Sequence, residues 1–499
     1  MSKTVYTAIT IGPIYDTIRL TSSPAGLWAA SFLFSQISYK LCEGIVDRGL
    51  VANEQDILSP YFRKGEQNIE DGVGRYHDRI IFLPSDEENV LCNVKELFGS
   101  VTKMIAEVFE ASVEWFGQYL QLHAICFSVE DGESPLLECT QYLDALELER
   151  TFPTGENENP LVKLFESADK NMQIREKIRD NFCKEWPFQA ERYINKDGKE
   201  RMPMIEDITG FSEETGTQRD KIKSYYAIIQ SDGDNFGKYI MECKKKGISE
   251  NDFSKKCLEY CTEIARLAKD YGAVPIYAGG DDLLVIAPLT GTIKEEGKEE
   301  KEGTILDLLI SLRSTFDKWF WEKEGDPTVS FGAAIRYQKY PLYEAFDEVY
   351  NLLSGRAKKN RNAAAISLQK HSGQLIEFVL EDFKNQKITD ELDVLIARQR
   401  EGQGKDTVLQ SVRGKIWEYQ SVFLQALSIG GAALKNAFVN IFNDKIHKDK
   451  WEDVDAVHRL LEMLPVWDDK EKLEMLDILL RFVKFWGERG EEYNVKTDD

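Results

Sequence analysis

Long apolar runs, an excess of positive charge and a leader-like N-terminus are all missing from this 499-residue sequence. No run is long enough to cross a bilayer, and Met1–Ile11 lacks the basic, apolar and small-residue order of a signal peptide, so we expect a soluble cytoplasmic protein. The formal net charge of −23 argues against nucleic-acid binding over the whole surface, because phosphate binding depends on clustered Lys and Arg. Any RNA contact is therefore expected to be local or shared with basic partners.

Histidine is scarce and the cysteines lack metal-binding spacing. The eight cysteines include no Cys-x-x-Cys pair, and Cys257 and Cys261 have helical spacing with no histidine nearby to complete a zinc site. The dipeptide His77-Asp78 suggests a metal nuclease, but such a site needs several more His and Asp ligands, and the chain has five histidines in all. We therefore expect reduced buried thiols, no zinc and no nuclease site.

Hydrophobic periodicity predicts an α+β protein of four parts. Residues 1–133 are predicted to form a first palm-like domain without metal acids, and residues 134–220 a helical linker domain with exposed loops. The elements predicted for the first domain are strand Val5–Ile11, a helix that includes Leu27–Ile37, strand Arg79–Leu83, a helix around Val94–Phe116 and strand His123–Val129.

Residues 221–372 are predicted to form a second palm domain with ferredoxin-like element order. Its predicted elements are strand Tyr225–Gln230, helix Phe253–Lys269, hairpin strands Ala273–Ala278 and Leu283–Pro288, helix Ile305–Trp321, strand Thr328–Ile335, helix Tyr343–Ser354 and strand Ala363–Leu368. Lys294–Gly303 is nearly all Glu, Lys and Gly, which indicates a solvated insertion. Residues 373–499 are predicted to be a C-terminal helical bundle, with helical pattern from Gln374 onward.

The most informative motif is Gly279-Gly280-Asp281-Asp282, a tight turn with two carboxylates between apolar strands. The two glycines permit backbone conformations closed to other residues and allow another group to approach closely. By itself the tetrapeptide is also a good hairpin turn with no further role. The acidic segment upstream is what favours a functional site.

That upstream segment is Ser231-Asp232-Gly233-Asp234, at the end of a predicted strand. If the extended conformation persists, Asp232 and Asp234 project to one face and can meet the hairpin tip. Carboxylates held close together need a compensating cation, and hard Mg²⁺ or Mn²⁺ prefers carboxylate oxygens. Lys238, at a predicted helix start, and Lys358 are candidates for binding phosphates, and a solvated basic face is the alternative for both.

These motifs, in this order, resemble the large palm-domain subunit of type III CRISPR effector complexes, in a type III-B-like form that lacks the N-terminal HD nuclease domain. The resemblance also includes Leu27-Trp28-Ala29-Ala30-Ser31 and Ala357-Lys358. It implies a nucleotidyltransferase that is activated by target RNA and makes cyclic oligoadenylate from ATP through attack of a 3′-hydroxyl on the α-phosphate. Other complex subunits, guide RNA and target RNA are the implied partners, and no membrane is involved.

By position, the resemblance implies metal-binding acids and a nucleotide-binding turn. The implied catalytic and metal-binding residues are Asp232, Asp281 and Asp282, with Asp234 as a further metal ligand. The implied nucleotide-binding residues are Gly233, Gly279, Gly280, Lys238 and Lys358.

The acceptor is left open by the sequence. The basic stretch of many relatives is replaced here by Leu20–Gly26, and some relatives without the nuclease domain look able to join AMP to S-adenosylmethionine. Asp71 is a candidate for binding such a cationic acceptor, although a loop acid between glycines is more often part of a turn.

Two further functions remain as alternatives. A non-catalytic scaffold would hold RNA and neighbouring subunits, but the intact acids argue against it. A GGDEF-type cyclic dinucleotide cyclase would have Glu and Phe where this chain has Asp282 and Leu283.

Overall fold

The computed structural model describes residues 3–66, 73–153, 159–162, 203–210, 221–294, 299–323, 326–381, 387–401, 408–465 and 468–487. It confirms the predicted α+β class. The strands are β1 Lys3–Gly12, β2 Ile57–Ser59, β3 Arg79–Phe82, β4 Gln121–Glu130, β5 Tyr225–Asp234, β6 Val274–Gly279, β7 Asp282–Pro288, β8 Thr290–Ile293, β9 Lys301–Thr304, β10 Thr328–Tyr337, β11 Ala364–Gln369 and β12 Leu375–Leu380.

Helices precede, connect and follow these strands. The α-helices are α1 Ile14–Ile18, α2 Pro24–Asp47, α3 Val90–Phe109, α4 Val113–Tyr119, α5 Pro135–Glu138, α6 Thr140–Leu146, α7 Ile205–Thr209, α8 Phe236–Lys245, α9 Glu250–Tyr271, α10 Ile305–Phe320, α11 Leu342–Leu352, α12 Lys358–Asn360, α13 Lys387–Glu401, α14 Val408–Glu418, α15 Gln420–Ile429, α16 Gly431–Ile441, α17 Lys445–Asp449, α18 Trp451–Met463 and α19 Asp469–Trp486. Short 3₁₀ turns lie at Glu54–Asp56 and Lys221–Ser224, and a π-helical turn at Leu353–Ala357.

Two sheets share one strand order. The first sheet has four strands in the order β2-β3-β1-β4, and the second has six in the order β12-β11-β10-β5-β7-β6. In the first sheet the neighbouring strands are β4, β1, β3 and β2, and in the second they are β10, β5, β7 and β6. In both sheets the fourth strand along the chain thus lies beside the first, followed by the third and the second, which is the ferredoxin-like order. The first palm-like half and the second palm therefore repeat one architecture.

The second sheet is buried on both faces. Alternate residues of β5 point to opposite sides: Tyr225, Ala227 and Ile229 join the core formed with α9, α10 and the C-terminal helices. Tyr226 and Ile228 join the core that contains α2 and the first sheet. The first half of the chain thus packs directly on the second palm, which explains why β5 reads as a continuous apolar run.

Two local predictions were wrong in detail, and a third segment has more regular structure than predicted. Residues 375–380 form edge strand β12, antiparallel to β11, although the sequence pattern predicted helix from Gln374. Strands β8 and β9 pair as a hairpin across the predicted solvated insertion. The predicted helix over Val94–Phe116 is two helices, because Glu110 adopts a left-handed conformation with φ 54°.

Much of the predicted linker domain, at residues 163–202 and 211–220, lies outside the described residues. Within the described part of the chain, no helix is both long and apolar enough to cross a membrane.

Candidate active site

The acidic segment after Gln230 remains part of β5, which runs on to Asp234. Asp232 pairs with Ser330 and Asp234 with Thr328 across the antiparallel partner β10. This extended backbone places both carboxylates on one face of the sheet, as predicted. The chain then turns at Asn235, with φ 62°, into helix α8.

Asp234 is held entirely by its neighbours. Its carboxylate accepts hydrogen bonds from Thr328 Oγ1 at 2.8 Å, from Ser330 Oγ at 2.9 and 3.0 Å, and from the Asn362 backbone N–H at 2.8 Å. Its side chain is 0% exposed and also lies 3.2 Å from Lys358 Nζ. These contacts use both oxygens to fasten β5 to β10 and to the turn at residue 362. The role of Asp234 as a further metal ligand stays a prediction.

The Gly-Gly-Asp-Asp turn closes hairpin β6–β7 and touches the end of β5. Gly279 pairs with Asp282, and Gly280 has φ 68°, a conformation that favours glycine. A Cβ added to Gly233 would lie 2.5 Å from Asp281 Oδ2, so the Asp281 side chain approaches the Gly233 backbone more closely than a residue with a Cβ would permit. Behind the turn, the Cys261 thiol donates to the Gly280 carbonyl at 3.4 Å. The predicted meeting of strand end and hairpin tip is confirmed.

The acids at this junction disfavour one another's ionisation. Burial, reinforced by the charge of Asp232, raises the pKa of Asp281 to about 7. Burial and the charges of Asp281 and Asp232 raise the pKa of Asp282 well above its usual range. Burial also raises the pKa of Asp232, but there the nearby Lys358 ammonium acts in the opposite direction. Such a cluster favours binding of positive charge.

Lys358 supplies positive charge to one side of this cluster. Its Nζ lies 2.9 Å from Asp232 Oδ2 and donates to the backbone carbonyls of Asp232 at 3.0 Å and Gly233 at 2.6 Å. It was predicted to bind nucleotide; in this structure it neutralises carboxylates. The lysine follows the π-helical turn at Leu353–Ala357, which brings α12 beside the end of β5.

The donor chemistry of Asp232, Asp281 and Asp282 fits a hard divalent cation, since all three offer carboxylate oxygens. Across the described ranges, however, no group of three or more His, Cys, Asp or Glu side chains is arranged to hold a metal ion. Lys358 at Asp232 provides charge of the kind that such an ion would bring.

A cavity of about 490 Å³ opens beside the hairpin tip and is shared by both halves of the chain. Its polar wall combines the second-palm turn with a loop of the first half, and its apolar wall comes from α5, α8 and α9. The lining residues are Ser59, Pro60, Tyr61, Arg75, His77, Asp78, Arg79, Ile81, Leu136, Cys139, Thr140, Phe236, Ile240, Phe253, Ser254, Cys257, Leu258, Tyr277, Gly279, Gly280, Asp281 and Asp282.

His77 is a neutral structural histidine within this wall. The Arg79 backbone N–H donates to His77 Nδ1 at 3.4 Å, which leaves the proton on Nε2, 2.8 Å from Ser59 Oγ. Burial, together with the Arg79 charge, lowers the pKa of His77 to about 4. Both ring nitrogens of His77 thus have hydrogen-bond partners within the fold.

The remaining predicted site residues lie apart from the junction. Lys238 is exposed in the first turn of α8 and does not line the cavity. Asp71, the predicted acceptor-binding acid, lies outside the described residues. Sequence reasoning missed Asp78 as part of this site, because the His77-Asp78 dipeptide was considered only as a pair of nuclease ligands.

Comparison with known sequences supports this assignment of the second half. Residues 225–366 match the family model for Cas10/Cmr2, second palm domain. The CRISPR system Cmr subunit Cmr2 of Pyrococcus furiosus is 30% identical over 178 residues, an alignment that covers 30% of this chain and 19% of that relative. The match thus spans about a fifth of the relative's length.

Solved structures extend the similarity to nearly the whole chain at the level of the fold. A chain of type III-B Cmr-beta bound to cognate target RNA gives a TM-score of 0.56 at 12% identity, covering 97% of this chain and 83% of that one. A Csm1–Csm4 cassette in complex with pppApA gives 0.54 at 15% identity, covering 96% and 69%. One in complex with cA4 gives 0.52 at 14% identity, covering 97% and 70%. Residues 225–366 thus match the second palm domain of the Cas10/Cmr2 family, and the chain as a whole has a fold similar to those of the Csm1–Csm4 and Cmr-beta chains.

Proposed function

We propose that the second palm is a nucleotidyltransferase that makes an adenylate second messenger from ATP within a type III CRISPR effector complex. The observation that carries this proposal is the contact between Gly233 and Asp281, which brings an acidic strand end and an acidic hairpin tip together beside a nucleotide-sized cavity. Similar folds occur in Csm1–Csm4 cassettes in complex with pppApA and with cA4, which supports ATP-derived oligoadenylate as the product.

The proposed reaction is a phosphoryl-group displacement. The 3′-oxygen of an acceptor ribose bonds to the α-phosphorus of ATP, the bond from that phosphorus to the bridging oxygen breaks, and pyrophosphate leaves. The hydroxyl proton passes to solvent. Mg²⁺ or Mn²⁺, held by Asp232, Asp281 and Asp282, would activate the hydroxyl and stabilise the leaving oxygen.

The chain's own groups have distinct parts in this reaction. Gly233, Gly279 and Gly280 keep side chains away from the place where nucleotide and acids meet. Lys358 holds Asp232 in position until a nucleotide phosphate competes for the lysine or a cation competes for the carboxylate. Asp234 fixes the strand end on which Asp232 depends.

The acceptor is ATP or S-adenosylmethionine, since both carry an adenosine ribose with a free 3′-hydroxyl. The first acceptor leads to cyclic oligoadenylate and the second to an AMP conjugate. We propose other complex subunits, guide RNA and target RNA as partners, by similarity to the Csm1–Csm4 cassettes and to Cmr-beta bound to cognate target RNA.

The test is mass spectrometry of products after the assembled complex is incubated with ATP, target RNA and Mg²⁺ or Mn²⁺, with and without S-adenosylmethionine. We expect an ATP-derived product that Asp281→Ala combined with Asp282→Ala reduces by at least about 1,000-fold. A product that survives the double change would place the chemistry elsewhere. Absence of product under every condition would favour the scaffold alternative.

A further inference from the structure

One carboxylate of the cavity wall belongs to the first half of the chain. Asp78 lines the cavity together with Asp281 and Asp282 of the hairpin tip. Its negative charge helps to raise the pKa of both Asp282 and Tyr277, which places it close to the reacting end of the turn. No part of the proposed chemistry so far uses it.

The backbone that carries Asp78 is held firmly by α2. Ser35 Oγ accepts hydrogen bonds from the backbone N–H groups of Arg75 and Tyr76, each at 3.0 Å. Ser38 Oγ donates to the His77 carbonyl at 2.8 Å. A preorganised backbone of this kind is typical of a binding group, because little motion remains to be lost when a ligand binds.

The same segment is also joined to the second palm. Gly74 forms a parallel bridge with Tyr277, and the Ala278 backbone N–H donates to the Gly74 carbonyl at 3.3 Å. Edge strand β6 and the first-palm loop are therefore joined at this point, four residues before Asp78.

Little in the protein satisfies the Asp78 carboxylate. The adjacent Arg79 directs its guanidinium to Glu147 at 2.8 Å and to Asp144 at 2.5 Å. The Asp78 carboxylate accepts a hydrogen bond from its own backbone N–H. Burial raises its pKa to about 6, so the carboxylate is mostly ionised at neutral pH. A buried carboxylate held by its own backbone N–H still has acceptor positions for a ligand that brings further donors.

The ligand group that suits this position carries hydroxyls and no phosphate. Phosphates are repelled by Asp78, Asp281 and Asp282 unless a cation intervenes, whereas ribose hydroxyls donate good hydrogen bonds to a carboxylate. An acceptor must present its 3′-hydroxyl at the metal-binding acids, so its 2′-hydroxyl lies next to that point. The apolar wall at Phe236 and Ile240 provides a surface for the base.

We propose that Asp78 binds the ribose hydroxyls of the acceptor nucleotide, so that the first palm recognises the acceptor while the second palm supplies the catalytic acids. This inference rests on the proposed function. The ribose is shared by ATP and S-adenosylmethionine, and the experiment separates the two.

The experiment compares the wild type with Asp78→Asn in the assembled complex, with ATP and with 2′-deoxy-ATP as substrates. We expect Asp78→Asn to raise the KM for the acceptor by about 10-fold, the effect of one charge-assisted hydrogen bond, with a smaller change in kcat. Loss of the 2′-hydroxyl should then cost less in the variant than in the wild type, because both changes remove the same contact. A second arm varies S-adenosylmethionine at saturating ATP, and the acceptor whose KM rises is the one that Asp78 binds.

Asp47→Asn is the matched control, a half-exposed surface acid of the same domain paired with Lys64. Equal penalties for 2′-deoxy-ATP in the wild type and Asp78→Asn would overturn the inference while leaving the proposed function intact. If the wild type makes no product, the proposed function fails, and calorimetric binding of ATP and 2′-deoxy-ATP still tests Asp78. If Asp78→Asn unfolds at a lower temperature than the wild type, Asp78→Ala is used in its place, and the same changes in KM and in the 2′-deoxy-ATP penalty are expected.

Discussion

The first and second sheets have the same strand order but carry different residues at the end of the first strand, which is β1 in one sheet and β5 in the other. Gly12 of β1 pairs with Gln121, the first residue of β4, and Asp234 of β5 pairs with Thr328, the first residue of β10. By this register Thr10 and Gly12 stand where the second palm has Asp232 and Asp234. One architecture therefore has two carboxylates at the end of β5 and Thr10 and Gly12 at the matching positions of β1, since side chains at a strand end determine the chemistry.

The hairpins of the two halves differ in a complementary way. Strands β6 and β7 are joined by a tight glycine turn that presents Asp281, whereas β2 and β3 are separated by residues 60–78. That long connection reaches the second palm at Gly74 and ends in Asp78. The half without the acidic strand end thus contributes a wall of the other half's site.

The largest expected effect comes from filling the space between strand end and hairpin tip. In Gly233→Ala the new Cβ would lie 2.5 Å from Asp281 Oδ2 and 2.7 Å from Phe236, so the acids must move apart. We expect product formation to fall by about 100-fold, since catalytic groups displaced by about 1 Å lose that much.

The control for that change is Gly12→Ala in the first palm. There the nearest atom to the new Cβ is Gln121 Oε1 at 3.5 Å, an ordinary contact. Rates measured for both variants in one assay should differ by at least about 30-fold. Similar rates would mean that the acidic junction is not the reaction centre.

A smaller effect is expected from Lys358→Ala, which leaves Asp232 and Asp234 without their shared cation. We expect a loss of about 1–3 kcal/mol of folding stability in the absence of divalent metal, because a buried acceptor loses a charged donor. Thermal unfolding with and without Mg²⁺ measures it, and Mg²⁺ should recover part of the loss. The exposed neighbour Lys359 is the control; an equal shift in Lys359→Ala would contradict a specific role.

The smallest effect is a pH dependence of stability. The pKa of Asp281 is raised to about 7 in the folded protein, so between pH 4 and 7 the folded state keeps a proton that the unfolded state has lost. Stability from this group is therefore lost as pH rises through that range. Without divalent metal, the unfolding temperature should fall between pH 5 and 7.5, and Asp281→Asn should reduce the slope.

Asp78→Asn can be compared with Asp281→Asn by measuring its unfolding temperature over the same pH range. The pKa of Asp78 is raised to about 6, less than that of Asp281, so removal of its carboxyl should reduce the slope by less. If neither variant changes the slope of unfolding temperature against pH, these two carboxyl groups are not buried in the folded protein.

Sequence patterns predicted most of the elements around the site. Apolar strands on both sides of Gly279-Gly280-Asp281-Asp282 predicted the hairpin, because that signal is local. The apolar run Tyr225–Gln230 predicted β5, but the strand continues through the acidic segment to Asp234. The sequence pattern did not predict edge strand β12, because the run Leu375–Leu380 directly precedes segments with helical pattern. The run becomes a strand through its antiparallel pairing with β11 in the folded chain.

Within the site, local sequence determined which carboxylates occur and on which turn or strand end they lie. Only the tertiary structure decided their partners. The Asp234 carboxylate accepts hydrogen bonds from β10. Lys358 contacts Asp232, which lies 126 positions away in the sequence. Asp78 lines the cavity from the first half of the chain. Residue type and local spacing define the chemistry available, but burial and charge pairing depend on segments that meet only through packing, and no local pattern encodes such meetings.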